Sequence, residues 1–577
     1  MNRFLFSAIV LLSAISFAAG QTPTPTPAPA PADDKQNVAP EDLPNVPSIA
    51  PDYQSRIRDL PDLGRVGVDM ATQRSLTVRD AVTLALENNK DIEITRQNVK
   101  IAEFDLTAAR GFFQPRLSGI AQYADTTVPN VSPFTANQKN RTSNLVGNAT
   151  ITGYIPKFGT QLIGDIRNEQ VGTNNPISIL SPQYNASLGF KIVQPLFRGR
   201  SIDQGRRQIE VAKKNLSLTD AQFRQRTIEI VTNVQRAYWD LTFALRNLQV
   251  QRDAVRDAKN QMEHNRRLVL EGQLAPIDVV AAETQVANFE QAVYEALNTV
   301  SQTENTLKNL ISPNKNDAVW SESITPVDPV ELRVPVTSLN DAITTALANR
   351  PELDSNQVQK DINAIDQKFF KNQTQPQIDL VAGYTSLGIG GEQSRRFQPV
   401  FTTPCQEDPT LPECQAQQAA LAALMGNPYQ KIFENKYPTY SVGLQFNLPL
   451  FGDKTAKANL GASRVVGDRL QTQREQLEQN IQVEVRNSLQ AVRTAEARLR
   501  AAAISRENTT KQYESEQRKL DAGQSDIYTV LERQTALTVA RSLELRTQTE
   551  LNKAITDLHR ATGNALKEND VTMLTKK

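Results

Sequence analysis

Hydrophobic residues recur every three to four positions over very long stretches of this chain. Between Ser201 and Leu270, Val231, Val234, Ala237, Leu241, Ala244, Leu245 and Leu248 keep helical spacing, and no proline falls between Pro195 and Pro276. After Pro449 there is no proline at all, and the composition is again rich in Ala, Gln, Arg, Glu and Leu. This pattern predicts long helices packed side by side. At ~1.5 Å per residue, a helix over 201–270 is roughly 100 Å long. Gly272 and Gly523 predict sharp turns into second helices that run back. Shorter helical periodicity spans 77–113 and 338–375, ending just before Pro115 and Pro376.

A second period, of two, lies between the helical stretches. Tyr440, Val442, Leu444, Phe446 and Leu448 alternate with Ser441, Gly443, Gln445 and Asn447; Ile378, Leu380, Ala382 and Tyr384 behave likewise, as do Ala186, Leu188, Phe190 and Ile192. Each run predicts a strand with one apolar and one polar face. Two readings stay open: the apolar face meets lipid while the polar face lines a wet lumen, or the apolar face packs into a soluble sandwich core. Further alternation at 144–170, around Gly153 and Gly159, fits an added hairpin, either within the same sheet or folded over its rim. Residues 389–438 read as a long loop, and 33–75 as irregular chain along the body.

These elements occur twice. Asp80-Ala81-Val82-Thr83-Leu84-Ala85-Leu86-Glu87-Asn88 returns 261 positions on as Asp341-Ala342-Ile343-Thr344-Thr345-Ala346-Leu347-Ala348-Asn349. At that offset Ile101, Asp105, Gln114, Pro115 and Tyr123 meet Ile362, Asp366, Gln375, Pro376 and Tyr384. Gln194-Pro195-Leu196-Phe197 meets Leu448-Pro449-Leu450-Phe451 at 254, and Gly272-Gln273 meets Gly523-Gln524 at 251. A period this long is a duplicated half-molecule rather than a solenoid repeat. Two such halves suit quasi-equivalent walls of a tube better than a catalytic cleft. The resulting segments are 1–20, 21–76, a first repeat 77–314, a linker 315–337, a second repeat 338–566 and a tail 567–577.

Composition narrows the function. The formal charge is +1 and mean hydropathy −0.45, so no basic excess points to nucleic acid. Met1–Gly20 has Arg3, an apolar run and small residues at its end, as in a secretory signal peptide. The Thr-Pro and Ala-Pro run at 21–32 reads as a polyproline-type tether. No later apolar run is long enough for a membrane-spanning helix, although barrel strands need less. Cys405 and Cys414 are the only cysteines, and in an exported chain they are candidates for a local disulfide. Two cysteines and two distant histidines, His264 and His559, make no metal set. His264 reads as solvated in a charged helix. No phosphate loop or nucleophile motif stands out, so neither catalysis nor a cofactor is expected.

Taken together, the duplicated half, Pro-Leu-Phe before a very long helix, and Gly272 followed six residues later by Asp278-Val279 resemble the TolC-type outer-membrane channel-tunnel family. Tyr238-Trp239-Asp240-Leu241, and Val530-Leu531-Glu532 after Gly523, are similar to the family too. The resemblance covers 77–566. It implies an α+β membrane protein: a homotrimer whose copies each give four strands to a shared 12-stranded barrel and four helical lengths to a periplasmic α-barrel. Such proteins are passive ducts for drugs, metals, proteins or other solutes, in outer-membrane lipid. A periplasmic adaptor docks at the helix-turn tips, and an inner-membrane pump or ABC transporter supplies energy.

Carried over residue by residue, the tips are Gly272-Gln273 and Gly523-Gln524; a plain C-terminal helix cap accounts for these glycines equally well. The family's acidic constriction, six and nine residues past the second tip glycine, falls on Thr529 and Glu532, so one acid is missing. Asp278 stands six past Gly272. Asp278 and Glu532 are therefore gate candidates, or else ordinary carboxylates at helix starts. A periplasmic coiled-coil adaptor or spacer would share the helices but lack the flanking strands. A porin-like pore would have many more strands and few long helices.

Overall fold

The computed structural model describes residues 63–130, 138–328, 335–395, 397, 412–449 and 452–571. The expected signal peptide and tether lie outside these residues, as do Cys405 and the Cys414 side chain, and with them the candidate disulfide. The described elements belong to one unit, Gly64–Lys577.

Both halves run through the same series. Helix α1 (Val78–Asn88) and α2 (Lys90–Arg110) lead to strand β2 (Arg116–Pro129), as α5 (Leu339–Asn349) and α6 (Pro351–Gln373) lead to β7 (Gln377–Gln393). Strand β5 (Leu180–Pro195) precedes helix α3 (Gln204–Leu270) and the returning α4 (Pro276–Ile311). Its counterpart β8 (Tyr437–Asn447) precedes α9 (Lys454–Asp521) and α10 (Ile527–Ala561). The helical stretches at 77–113 and 338–375 each hold two helices rather than one. Asn89 breaks the first by leaving helical backbone at ψ 127° and capping α2 with its side chain, which accepts from Asp91 N–H. In the second, Arg350 is extended and Pro351 opens α6, where its missing N–H is harmless.

The four-strand expectation is corrected: among the described residues the sheet holds six strands, in the order β2-β3-β4-β5-β7-β8, all antiparallel. The extra pair, β3 (Lys139–Ile155) and β4 (Thr160–Thr173), is the 144–170 alternation, and it lies inside the sheet between β2 and β5. No described strand of the second half corresponds to it, and there β7 and β8 pair directly. The 389–438 segment is corrected as well. Within it, β7 continues to Gln393, and α7 (Pro412–Leu424) and α8 (Pro428–Phe433) follow.

Part of the chain expected to be irregular also forms a strand. Strand β1 (Asp69–Leu76) pairs in parallel with β6 (Glu322–Pro326) from the segment between the halves. Neither strand alternates clearly; each is set by a partner some 250 residues away. The pair closes over the mid-length of the helices, where Leu76 and Ile324 join Val231, Val234, Tyr238, Leu241, Val300, Leu307 and Ile311 in the main core. Tyr238 is fully buried, its hydroxyl donating to Leu76 O at 3.1 Å and accepting from Asp328 N–H at 3.2 Å. Alanines at 254, 258 and 282 let the helices approach closely elsewhere. Ion pairs link the halves: Arg207–Asp366 and Lys214–Asp361 join α3 to α6, and Lys553–Asp240 joins α10 to α3.

Candidate functional site: the sheet faces and the helix turns

Strand register decides which side chains share a face. Leu117, Ile151, Gly164, Phe190, Tyr384 and Tyr440 stand opposite one another in a single row across all six strands. The neighbouring row on that face carries Gly153, Leu162, Ile192, Ala382 and Val442. Tyr440 is 73% and Val442 80% exposed, so this apolar face has no protein covering there. The Tyr384 and Tyr440 rings lie 5.3 Å apart.

The opposite face is polar. One row reads Ser118, Thr150, Asp165, Gly189, Thr385 and Thr439; the next contains Thr152, Ile163, Lys191, Gly383 and Ser441. Apolar residues interrupt it, among them Ile120, Val146, Ile163, Val171, Val193, Val381 and Leu387. Strands β2 and β8 end the sheet, and among the described residues neither has a partner on its outer side. Segment α7–α8 lies over one end of the apolar face. There the Ser386 hydroxyl donates to Ile432 O at 2.9 Å, and the Lys431 ammonium donates to the carbonyls of Ile389, Ala423 and Met425. Gly388 permits this contact, since a Cβ there would stand 1.9 Å from Pro428 O.

At the far end of the long helices, the two predicted turns have one geometry. Gly272 has φ +74° and Gly523 φ +65°, conformations that favour glycine. Gln273 N–H donates to Leu268 O and Gln524 N–H to Lys519 O, each at 2.8 Å, while each glycine N–H bonds one residue nearer. These are Schellman caps. Open space surrounds both glycines. The turns are neighbours: His264, near the end of α3, bonds Asp521 of α9 at 3.1 Å, and Gln517 bonds Gln261. The His264 imidazole is thus engaged rather than merely solvated.

The gate candidates fall on the returning helices. The Asp278 carboxylate accepts from Ala275 N–H at 3.0 Å, closing the first turn of α4. Glu532 is exposed on α10. Thr529, in place of the missing acid, donates its N–H and hydroxyl to Asp526. Asp526 itself escaped the sequence reading; it caps α10, and the Thr529 backbone N–H holds its carboxyl below the usual range. Also missed were the apolar side chains ringing the turns, Leu270, Ile277 and Tyr528, which are 87%, 68% and 75% exposed. Their signal was available: apolar residues at a polar turn have no local reason to be there. No group of three or more metal-binding side chains converges among the described residues, and no described helix is long and apolar enough to cross a membrane.

The family model described as "Outer membrane efflux protein" matches residues 81–312 and 342–564. No curated protein sequence matches the chain. Several solved structures share its fold. CusC, solved in a study of folding and transmembrane channel formation, is 15% identical with a TM-score of 0.59, over 89% of this chain and 99% of that one. The CmeC outer membrane channel of Campylobacter jejuni is 15% identical at 0.57, covering 87% and 90%. The open state of the Neisseria gonorrhoeae MtrE outer membrane channel is 15% identical at 0.55, covering 86% and 91%.

Proposed function

Because this chain belongs to the outer membrane efflux protein family, a family of channels rather than enzymes, we propose that it is the passive outer-membrane duct of a tripartite efflux or type I secretion system. Three copies join edge to edge, β8 of one beside β2 of the next, so that the sheets close into a barrel and the long helices into an α-barrel reaching into the periplasm. An adaptor engages the turns at Gly272-Gln273 and Gly523-Gln524, and an inner-membrane pump or ABC transporter supplies the energy.

The observation that carries this reading is a six-stranded sheet with an uncovered apolar face and two open edges. In lipid an unpaired backbone N–H or C=O costs several kcal/mol, so only a closed barrel is tolerated there. The apolar rows then face hydrocarbon and the polar rows line water. The exposed Leu270, Ile277 and Tyr528 supply apolar contact for an adaptor at the turns. The link from His264 to Asp521 must part if the helix pairs splay to open. Asp278 and Glu532 lie within three turns of the tips, where threefold closure brings like carboxylates together and favours cations.

Negative-stain microscopy of the detergent-extracted protein tests the assembly. A threefold tube with a helical portion near ~100 Å is expected from the helix rise. Solid rods without a barrel end, in a protein that fractionates away from the outer membrane, would instead support a coiled-coil spacer.

A further inference from the structure

The inserted hairpin changes the wall itself. A flap folded over a rim would leave β2 paired with β5, as β7 pairs with β8 in the other half. Instead β3 pairs with β2 from Arg116↔Thr152 to Pro129↔Lys139, and β4 pairs with β5 from Gln161↔Val193 to Val171↔Gln183. The hairpin also continues both face patterns. Ile151, Leu162 and Ile166 extend the apolar rows, while Thr150, Thr152 and Asp165 extend the polar ones. Strands β3 and β4 are 17 and 14 residues long, more than the roughly 9–11 that cross a bilayer.

Half of the charged side chains on the polar face come with the hairpin. Asp165, Arg167 and Glu169 take alternate positions on β4, beside Lys191 of β5. Glu169 accepts from the Asn144 amide at 2.9 Å, and the Asp165 carboxylate lies over Gly189, where a Cβ would come within 2.4 Å of it. With Arg116, in the same row as Lys191, and Asp379 of β7, three acids and three bases per copy cancel. A ring of one sign selects ions of the other, whereas this girdle is wet but neutral.

Resting on the trimeric duct proposed above, we propose that the β3–β4 hairpin makes the barrel wall 18-stranded and lines its lumen with a charge-balanced girdle of Asp165, Arg167, Glu169 and Lys191, so that the outer-membrane pore passes bulky solutes of either charge sign. Barrel diameter grows roughly linearly with strand number, so 18 strands give a bore about 1.5 times that of 12, and walls of 16–18 strands leave an aqueous channel.

Cryo-electron microscopy of the full-length protein extracted from outer membranes decides the strand count. A threefold particle with 18 wall strands is expected. A threefold tube with 12 wall strands and the hairpin outside overturns this proposal and leaves the duct standing; a particle that is not a tube overturns both. Thiol chemistry on whole cells tests the faces, with Cys405 and Cys414 replaced by Ser. Thr150→Cys and Thr152→Cys should react with an impermeant maleimide, while Ala149→Cys and Ile151→Cys should be reached only by a lipid-borne quencher; equal reaction at all four overturns it. Cationic and anionic methanethiosulfonates then read the girdle. Thr150→Cys, opposite Asp165, should favour the cationic reagent, and Ser187→Cys, opposite Arg167, the anionic one. The same preference at both positions refutes the balanced wall.

Discussion

Replacing Glu304 by Gln leaves two buried cations, Arg65 and Lys308, facing a neutral amide. In the native protein the fully buried carboxylate on α4 accepts from Arg65 and from Ile324 N–H, both at 2.8 Å, with the Lys308 ammonium at 3.6 Å. Arg65 also donates to the Ser323 hydroxyl at 2.6 Å, and Lys308 to Trp320 O at 3.1 Å. The cluster therefore ties the β1–β6 pair to the helices. Removing one partner of a buried ion pair costs about 3–5 kcal/mol. At tenfold per 1.4 kcal/mol, local opening of β1–β6 should rise roughly 10²–10³-fold. Hydrogen exchange of the amides in 69–76 and 322–326, in the detergent-solubilised protein, reports that opening. The pH dependence has a definite sign. Burial pushes the Lys308 ammonium below the usual lysine range, and Glu304 opposes the shift. Without Glu304 the depression deepens, so the folded state sheds this proton more readily than the unfolded one. The variant's deficit is largest at neutral pH and shrinks as pH rises through the lowered pKa. Native exchange rates in Glu304→Gln at neutral pH would refute the assignment. Replacing Arg65, Glu304 and Lys308 together by Met should restore most of the protection, because an apolar trio leaves no stranded charge.

Four further outcomes are expected. Gly388→Ala should displace α8 from β7, making 412–433 sensitive to protease added to whole cells; unchanged resistance would show that α8 adjusts without detaching. Asp278→Asn with Glu532→Gln should raise anion over cation permeability in planar bilayers, and an unaltered reversal potential removes both residues from the gate. His264→Ala, which cuts an exposed link of about 0–1 kcal/mol, should raise the open probability by at most about fivefold; no change in channel recordings means the link does not hold the turns shut. Burial lowers the His559 pKa, with Glu568 acting against it. The end of α10 should therefore be most stable above the unfolded value of about 6.5 and lose stability as pH falls below it. Hydrogen exchange at 558–563 should show that slope, and His559→Gln should flatten it.

What could be read in advance was local. The helices over 204–270 and 454–521 declare themselves through unbroken periodicity and missing proline, and their turns through glycines that the αL caps require. Strand faces were legible because a one-residue slip would invert every side chain. The break at Asn89 was hidden, since both flanks favour helix and only the cap differs; Pro351 was a plainer signal for the other break. Strands β1 and β6 escaped because a parallel pair depends on a partner far along the chain. The alternation of 144–170 was visible, yet its position inside the sheet follows from register with β2 and β5, which no local pattern encodes. At the turns, Gly272 and Gly523 were found by their backbone need. The aim of Asp278 or Glu532 toward an axis depends on neighbouring copies and has no signature within one chain.

The one-sided hairpin also bears on girth. Helices pack about 8–10 Å apart, so a ring of twelve is roughly 100–120 Å around. Strands spaced about 4.8 Å and tilted near 40° give a circumference of about 75 Å for twelve but about 110 Å for eighteen. If three copies close as proposed, the insertion brings wall and helical ring to nearly the same perimeter. The short crossings from Pro195 to Gln204 and from Asn447 to Lys454 then join two cylinders of matching size, and the chain has no need to pinch or flare where sheet gives way to helix.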